Sequence, residues 1–354
     1  MAITIGDVAR VAGVSRSTAS YALSGKRAIS ESVRTRVLRA VDELGYTPNA
    51  GARALATSQT RVIGLLAQFL PDEFAPAMMQ YILGVSNTAR ELGYDILLVT
   101  EEDGTNALSR LTDSGMVDGV VLLNVAEQDV RIPVLRECGK PGSLVGLPAD
   151  VDGVDVFDLD FEESGRVMVE HLVALGHREL ILISQPEHVV ERGGAYVWRL
   201  QNAAVEAAAF AGIEIHTYFG AASQPEIGRQ LETILDSHPT ATGLLLNNEA
   251  VAAALPSTLH ARHLEAPRDY SVIGRYSSEF ARTFSLPFSH VESAPDLLGR
   301  MAVRQLVRRI EGRTRPGEPH VVRFVAPDLV DLGSTGPPPP SLIAPSSPEG
   351  LDIP

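Results

Sequence analysis

Cysteine occurs once, at Cys138, which excludes an intramolecular disulfide and leaves a buried, inert thiol as the expectation. Lysine occurs only at Lys26 and Lys140, so nearly every cation is arginine, a bias of composition rather than of mechanism. The amino-terminal residues lack the basic stretch and apolar core of a secretory leader. No apolar run approaches the roughly 18 residues of a membrane span. A cytoplasmic protein without a membrane partner is therefore expected. Catalytic signatures are missing too: there is no H-E-x-x-H, no Cys/His cluster, no G-x-S-x-G and no G-x-x-x-x-G-K-[ST]. His171 and His177 straddle "LVALG" without the spacing or partners of a metal site, and the acid-rich "DLDFEES" suits a strand-to-helix crossover better than catalysis. No enzyme activity, metal or cofactor is expected.

What the chain does have is length, apolar residues and an uneven distribution of charge. Its 354 residues suffice for two or three domains, and 45% hydrophobic residues support real cores. Net charge is −14, which taken alone disfavours a polyanionic partner. Residues 1–60, however, carry eight Lys or Arg against four Asp or Glu, so a head positive by four precedes a body negative by eighteen. A basic head on an acidic body suits a protein whose head meets phosphate and whose body stays soluble.

The head reads as helices. In "ITIGDVARVAGVSRSTASYAL", Thr4 is placed to cap a first helix that buries Val8, Ala9 and Ala12. Gly13 supplies a tight turn, and Ser15 caps a second helix whose Ala19 and Leu23 face back. Small residues at 9, 12 and 19 let the two helices cross closely. Ser30 caps a third helix with Val33, Val37, Val41 and Leu44 on one face, and Gly45 stops it. Pro48 then breaks the chain, and Asn49 caps a brief helix, "AGARALA", too short to be stable alone. A close-crossing helix pair of this kind is a helix-turn-helix, which can read the DNA major groove.

From Val62 the pattern changes. Short apolar runs, "VIGLL", "DILLV", "GVVLL", "SLVGL", "ELILIS", "GLLLN" and "SVIG", alternate with helical stretches near 77–92, 161–175, 196–211, 225–237, 249–259 and 294–311. Alternation of this kind predicts an α/β fold of doubly wound parallel sheets, and its length predicts two similar lobes. Binding clefts in such folds lie at the carboxyl ends of the strands or between lobes. The Pro-rich end, 335–354, is expected to be a disordered tail.

The motifs "T-x-x-D-V-A-x-x-A-G-V-S-x-x-T-x-S", "R-x-R-V-x-x-A-x-x-x-L-G-Y-x-P-N" and "A-R-x-L-x-x-x-x-T-x-x-I-G" resemble the head of lactose-repressor and purine-repressor type (LacI-type) bacterial regulators. The resemblance continues in "LGYDILLV", "DGVVLL", "ALGHREL", "FAGIE", "GLLLNNEAVAAAL" and "LGRMAVRQLVRRIEG". It implies a helix-turn-helix head (1–47), a hinge helix and linker (48–60) and a two-lobed, periplasmic-binding-protein-like body (61–334). It further implies a nucleoid-associated homodimer, or a tetramer, on palindromic double-stranded operator DNA. A small effector, expected to be a sugar with another metabolite as the alternative, would control it from the cleft. A solute-binding protein for transport is the competing reading, and it would carry a leader in place of the basic head.

By the resemblance, Arg16, Ser17 and Tyr21 are the variable base-reading positions. Arg16 suits bidentate pairing with guanine, and Ser17 discriminates weakly. Thr4, Ser15, Thr18 and Asn49 stand at or near helix starts, where such groups cap the helix, hold phosphate, or do both. Leu55 corresponds to the family's leucine wedge, which enters the minor groove and kinks the duplex. For the effector, the resemblance points to Phe74, to Arg199 with Arg192 as its rival, to Asn248 and to Tyr276. The last two stand where sugar-binding relatives carry acids, so the effector is left open.

Overall fold

The computed structural model describes residues 3–24, 27–46, 59–69, 75–101, 103–283, 287–315 and 317–340, which fall into two compact units divided after Arg61. The first unit is helical: α1 (Ile5–Ala12), α2 (Arg16–Ser24) and α3 (Glu31–Leu44). Gly13, in the left-handed region at φ 65°, ends α1 and lets α2 turn back across it. Small side chains make the close crossing possible: Val8, Ala9, Ala12, Ala19, Ala22, Val37 and Ala40 form the core, with Leu23, Val33, Val41 and Leu44 packed against it.

The second unit holds two six-stranded sheets, each with helices on its faces. The first lobe is built from β1 (Val62–Leu66), α4 (Ala75–Glu91), β2 (Asp95–Val99), α5 (Gly104–Asp113), β3 (Gly119–Leu122), α6 (Arg131–Glu137), β4 (Gly142–Val145) and β5 (Asp155–Leu159). The second comprises α7 (Phe161–Ala174), β6 (Glu179–Ser184), α8 (Glu187–Glu191), α9 (Ala195–Ala211), β7 (Glu214–Phe219), α10 (Glu226–Ser237), β8 (Gly243–Leu246), α11 (Glu249–Ala261), β9 (Ser271–Tyr276), α12 (Ser278–Ala281) and β10 (Ser289–Glu292). The chain then returns through α13 (Pro295–Ile310) to the first lobe, adds β11 (Val322–Val325) beside β5, and ends with β12 (Leu329–Val330) beside β10. The strand orders are β2-β1-β3-β4-β5-β11 and β7-β6-β8-β9-β10-β12, and every pairing is parallel except β12 on β10.

The chain therefore passes between the lobes three times, after β5, after β10 and after β11. Central strands such as β3 and β8 are buried along their whole length, which is why they read as continuous apolar runs. Asp155, fully buried, ties the crossovers on the first-lobe side: it accepts from Arg309 Nη2 (2.8 Å) and from Val321 N (2.8 Å). Cys138 is half-buried at the end of α6, with its thiol against Leu135 O.

The carboxyl-terminal stretch corrects one expectation. Residues 335–340, read as the start of a disordered tail, lie against the second lobe. Gly336 O is 3.0 Å from His177 Nε2, Gly336 N donates to Ser271 Oγ (2.9 Å), and His171 Nε2 meets Thr335 Oγ1 (2.9 Å). His177 and Ser271 are buried polar groups that need partners, and the strap supplies them. Residues 341–354 lie outside the described residues. Among the described residues no helix is long and apolar enough to cross a membrane.

Candidate functional site

In the first unit, the start of α2 is a cluster of hydroxyls. Ser15 Oγ accepts from Thr18 N (3.1 Å), which makes it the cap, and it lies 2.8 Å from the hydroxyls of both Ser17 and Thr18. Thr4 donates from its backbone N (3.0 Å) and its hydroxyl (2.8 Å) to Asp7 Oδ2, the half of a capping box in which the third-residue carboxylate reaches back to the cap. Those bonds, the backbone one first, hold the Asp7 carboxyl below its ordinary range. Arg16, Ser17 and Tyr21 are exposed, and Ser17 and Tyr21 are one helical turn apart on the same face. The Arg16 guanidinium lies over the first turn of α1: a Cβ on Gly6 would stand 2.8 Å from Arg16 Nε. A helix start carrying three hydroxyls can hold phosphate while an exposed face reads bases. Asn49 and Leu55 lie outside the described residues.

In the second unit, a cleft of about 500 Å³ opens between the lobes, at the carboxyl ends of the strands. The first lobe contributes Gln68, Tyr81, Asn124, Asp129 and Arg131, and the second Phe161, Gln185, Arg192, Tyr196, Arg199, Glu249 and Arg275, with Asp158 at the crossover. The charged groups come in compensated sets. Arg131 grips Asp129 twice (2.9 and 2.6 Å), and its Nη2 also donates to the carbonyls of Leu123 and Asn124. Burial works against the Asp129 charge, but the bonds from Arg131 prevail and hold its pKa below the ordinary value. Arg131 Nη1, buried, has no hydrogen-bond partner among the described residues.

On the opposite wall, Arg275 reaches Glu249 Oε1 (2.8 Å) and Asn247 Oδ1 (2.7 Å), and Gln185 Nε2 donates to the other Glu249 oxygen (2.8 Å). Burial opposes the Arg275 charge, but Glu249 together with Tyr81 and Tyr196 prevails, so the guanidinium pKa is raised. Arg199 pairs with Asp158 (2.5 Å) and with Glu162 (2.8 Å), and its guanidinium stands 5.4 Å over the rings of Phe161 and Phe324. Gly165 permits this placement: a Cβ there would stand 2.3 Å from Leu200 O, so α9 could not come so close to α7. Burial pushes the Asp158 carboxyl up to about 6 against the pull of Arg199, and pushes the Tyr81 phenol up to about 12, keeping it a neutral donor.

Two expected cleft residues are placed elsewhere. Asn248 caps α11: its Oδ1 accepts from Val251 N (3.0 Å), and its Nδ2 donates to the carbonyls of Ser184 and Ala221. Tyr276 is 1% exposed, packed on Phe280 and His290, with its hydroxyl donating to Phe288 O. The reason is strand alternation: Gly274 and Tyr276 share one face of β9 and Arg275 takes the other. The Tyr276 ring fills the space a Gly274 side chain would need, since a Cβ there would stand 2.1 Å from Cε1. Arg275 and Glu249, each one residue from an expected position, therefore line the cleft. Arg199 and Arg192 both line it, but the Arg199 guanidinium is already engaged by two carboxylates. Phe74 lies outside the described residues. Sequence reading missed Arg131, Glu249 and Arg275. A charged residue inside an apolar strand, as in "SVIGRY", was the signal available for Arg275.

A helical DNA-reading unit and a two-lobed unit with a cleft at its strand ends together define a ligand-controlled regulator. Residues 4–49 match the family of bacterial regulatory proteins of the lacI type, and residues 169–335 match the periplasmic binding protein-like domain. The HTH-type transcriptional regulator CelR of Thermobifida fusca is 31% identical over 320 residues, 88% of this chain and 93% of the relative. The ribose operon repressor of Escherichia coli (strain K12) is 28% identical over 339 residues, 94% of this chain and 99% of the relative. A lac repressor dimer, solved with operator and an anti-inducer, shares the fold with a TM-score of 0.78 at 24% identity, covering 95% of this chain and 100% of the other. The chain belongs to the LacI family of DNA-binding transcriptional regulators. The relatives named here are regulators rather than enzymes.

Proposed function

We propose that the protein is a repressor that binds a palindromic operator as a homodimer and is controlled by a neutral, polyhydroxylated effector, a sugar, held between the lobes. The observation that carries this reading is the compensated charge of the cleft. Asp129 with Arg131, Asp158 with Arg199, and Glu249 with Arg275 offer strong donors and acceptors with little net charge. Such a lining favours hydroxyls, which both donate and accept, over a ligand that brings a charge of its own. Tyr81, Phe161 and Tyr196 add rings for the apolar faces of a pyranose. Relatives point the same way: a CelR structure holds cellobiose, and another relative is the ribose operon repressor. Exposed Met79 and Leu83 on α4, with Leu98 on the neighbouring edge strand β2, offer an apolar surface for a second copy.

On this reading Arg16, Ser17 and Tyr21 contact base edges, and Thr4, Ser15, Thr18 and Asn49 hold the phosphate backbone. Residues 1–47 act as the head and 48–60 as the hinge, with Leu55 entering the minor groove at the operator centre. The body is 61–334. The protein works in the cytoplasm, on chromosomal DNA. The test is a thermal-shift screen over mono- and disaccharides, with purines and anionic metabolites as controls, since a ligand bound only by the native state raises apparent stability. A sugar should raise the unfolding temperature and change the anisotropy of labelled upstream DNA bound to the protein. A response to purines or anions alone would refute the sugar reading.

A further inference from the structure

Away from the cleft, the second lobe gathers two histidines and a carboxylate. Glu179 opens β6, His216 lies in the edge strand β7, and His238 follows α10. His216 Nε2 is 3.0 Å and His238 Nδ1 3.8 Å from the same atom, Glu179 Oε1, and the three donor atoms lie within 4.8 Å of one another. The imidazole rings are stacked, with centroids 3.7 Å apart, closer than the roughly 5 Å of two imidazoles on one tetrahedral ion, so a shared ion would have to swing them apart. Glu214 Oε1, on the exposed side, is 3.4 Å from His216 Nε2. Tyr218 Oη is 2.6 Å from His238 Nε2.

We propose that Glu179, His216 and His238 form a metal site for a divalent cation of the zinc class, with Glu214 or water as fourth ligand. Bonds of about 2.0–2.1 Å place tetrahedral donors about 3.3–3.4 Å apart, and the two nitrogen–oxygen separations bracket that spacing. Imidazole nitrogen with carboxylate oxygen is a zinc-type donor set. Two carboxylates balance a doubly charged ion. When His238 Nε2–H donates to Tyr218 Oη, the Nδ1 lone pair is the one left for the metal, the outer-shell arrangement that orients ligating histidines. His216, His238 and Glu179 are each about one-fifth exposed or less, while Glu214 stands 68% exposed, so the ion has an entry path from solvent. A bound ion would join the start of β6, the edge strand β7 and the end of α10. None of these residues lines the cleft, so the site is independent of the effector.

The experiment titrates ZnCl₂ into full-length protein stripped with a chelator, near neutral pH, against a chromophoric zinc indicator. Co²⁺ serves as a spectroscopic probe of tetrahedral ligation. One zinc per chain is expected, with a raised unfolding temperature and the visible bands of four-coordinate Co²⁺. His238→Gln and the isosteric Glu179→Gln should each abolish the Co²⁺ bands and weaken zinc binding more than tenfold. Tyr218→Phe should weaken it about ten- to a hundredfold while keeping the bands, the effect of losing an outer-shell partner. Circular dichroism of the metal-free variants checks folding, and Glu179→Gln carries the test if the histidine variant fails to fold. Failure of the wild-type chain to hold zinc at micromolar concentration overturns the proposal. So does unchanged affinity in Glu179→Gln and His238→Gln, which would place any bound zinc at other histidines.

Discussion

The Arg275–Glu249 pair gives the most exacting test of the cleft. Both side chains are under a tenth exposed, and Arg275 and Gln185 each bond a Glu249 oxygen at 2.8 Å. Arg275→Met keeps much of the side-chain volume but strands a buried carboxylate. Removing one partner of a buried pair costs about 3–5 kcal/mol. Adding Glu249→Gln removes the stranded charge, so the double variant should recover all but about 1–2 kcal/mol of that loss, the scale of the lost hydrogen bonds. Glu249→Gln alone strands the buried guanidinium in the same way, so the double variant should cost less than the two single variants together by more than about 3 kcal/mol. The assay is urea unfolding followed by far-UV circular dichroism, repeated with the sugar found in the thermal screen. The double variant should be folded yet lose the sugar-induced shift. Stability of Arg275→Met within about 0.5 kcal/mol of wild type, the range of an ordinary surface substitution, would refute a desolvated pair. A full sugar response in the double variant would remove Arg275 and Glu249 from the effector site.

Arg16→Ala should reduce operator affinity and relax preference at one base pair by about 1–3 kcal/mol, measured by fluorescence anisotropy on single-substitution operators; equal loss on every sequence would make Arg16 a phosphate contact. Leu83→Glu should shift the protein toward monomer in sedimentation velocity and weaken operator binding with it, whereas an unchanged dimer would place the interface elsewhere. His171, His177, His290 and His320 are each held below the ordinary histidine value, burial being the first cause in every case. The unfolded chain therefore binds protons at about pH 6.5 that the folded chain refuses, so stability is fully present above that pH and falls as pH drops below it. His177→Gln should flatten that slope in a series of thermal melts, and an unchanged slope would take His177 out of the account.

The elements that could be read in the sequence are those whose burial follows a simple period. The seven apolar runs lie on β1, β2, β3, β4, β6, β8 and β9, and the six long helical stretches fall within a residue or two of α4, α7, α9, α10, α11 and α13 at most ends. What escaped was strands carrying charge: β5 holds Asp155 and Asp158, and β7 reads "EIHTYF". Those polar residues broke the apolar signal because they serve the crossovers, the cleft and the histidine cluster, so the gaps in pattern fall at working sites. Tyr276 lies one position from a cleft residue because strand alternation turns Arg275 toward the cleft, whereas Asn248 is taken up as the cap of α11 and leaves Glu249 to line it. The histidine cluster joins residues 37 and 22 apart across three elements. No local motif could announce it.

The use of charged pairs in the cleft follows from what a switch requires. The lobes are joined at three crossovers, so their relative opening is the coordinate a ligand can bias, and it can do so only through differential contact with the two arrangements. Driving such an equilibrium from one part in a hundred to its inverse takes about 5.5 kcal/mol of differential affinity. Neutral hydrogen bonds contribute about 0.5–1.5 kcal/mol each, so at least four would have to form on closure alone. Hydrogen bonds to charged groups contribute about 1.5–3 kcal/mol, and two to four suffice. Arg131 and Asp129 on one lobe, facing Arg275 and Glu249 on the other, supply that number within a cleft the size of a small ligand. Because each pair is internally compensated, a neutral ligand gains those strong bonds without adding an unbalanced charge to a closed, dry site.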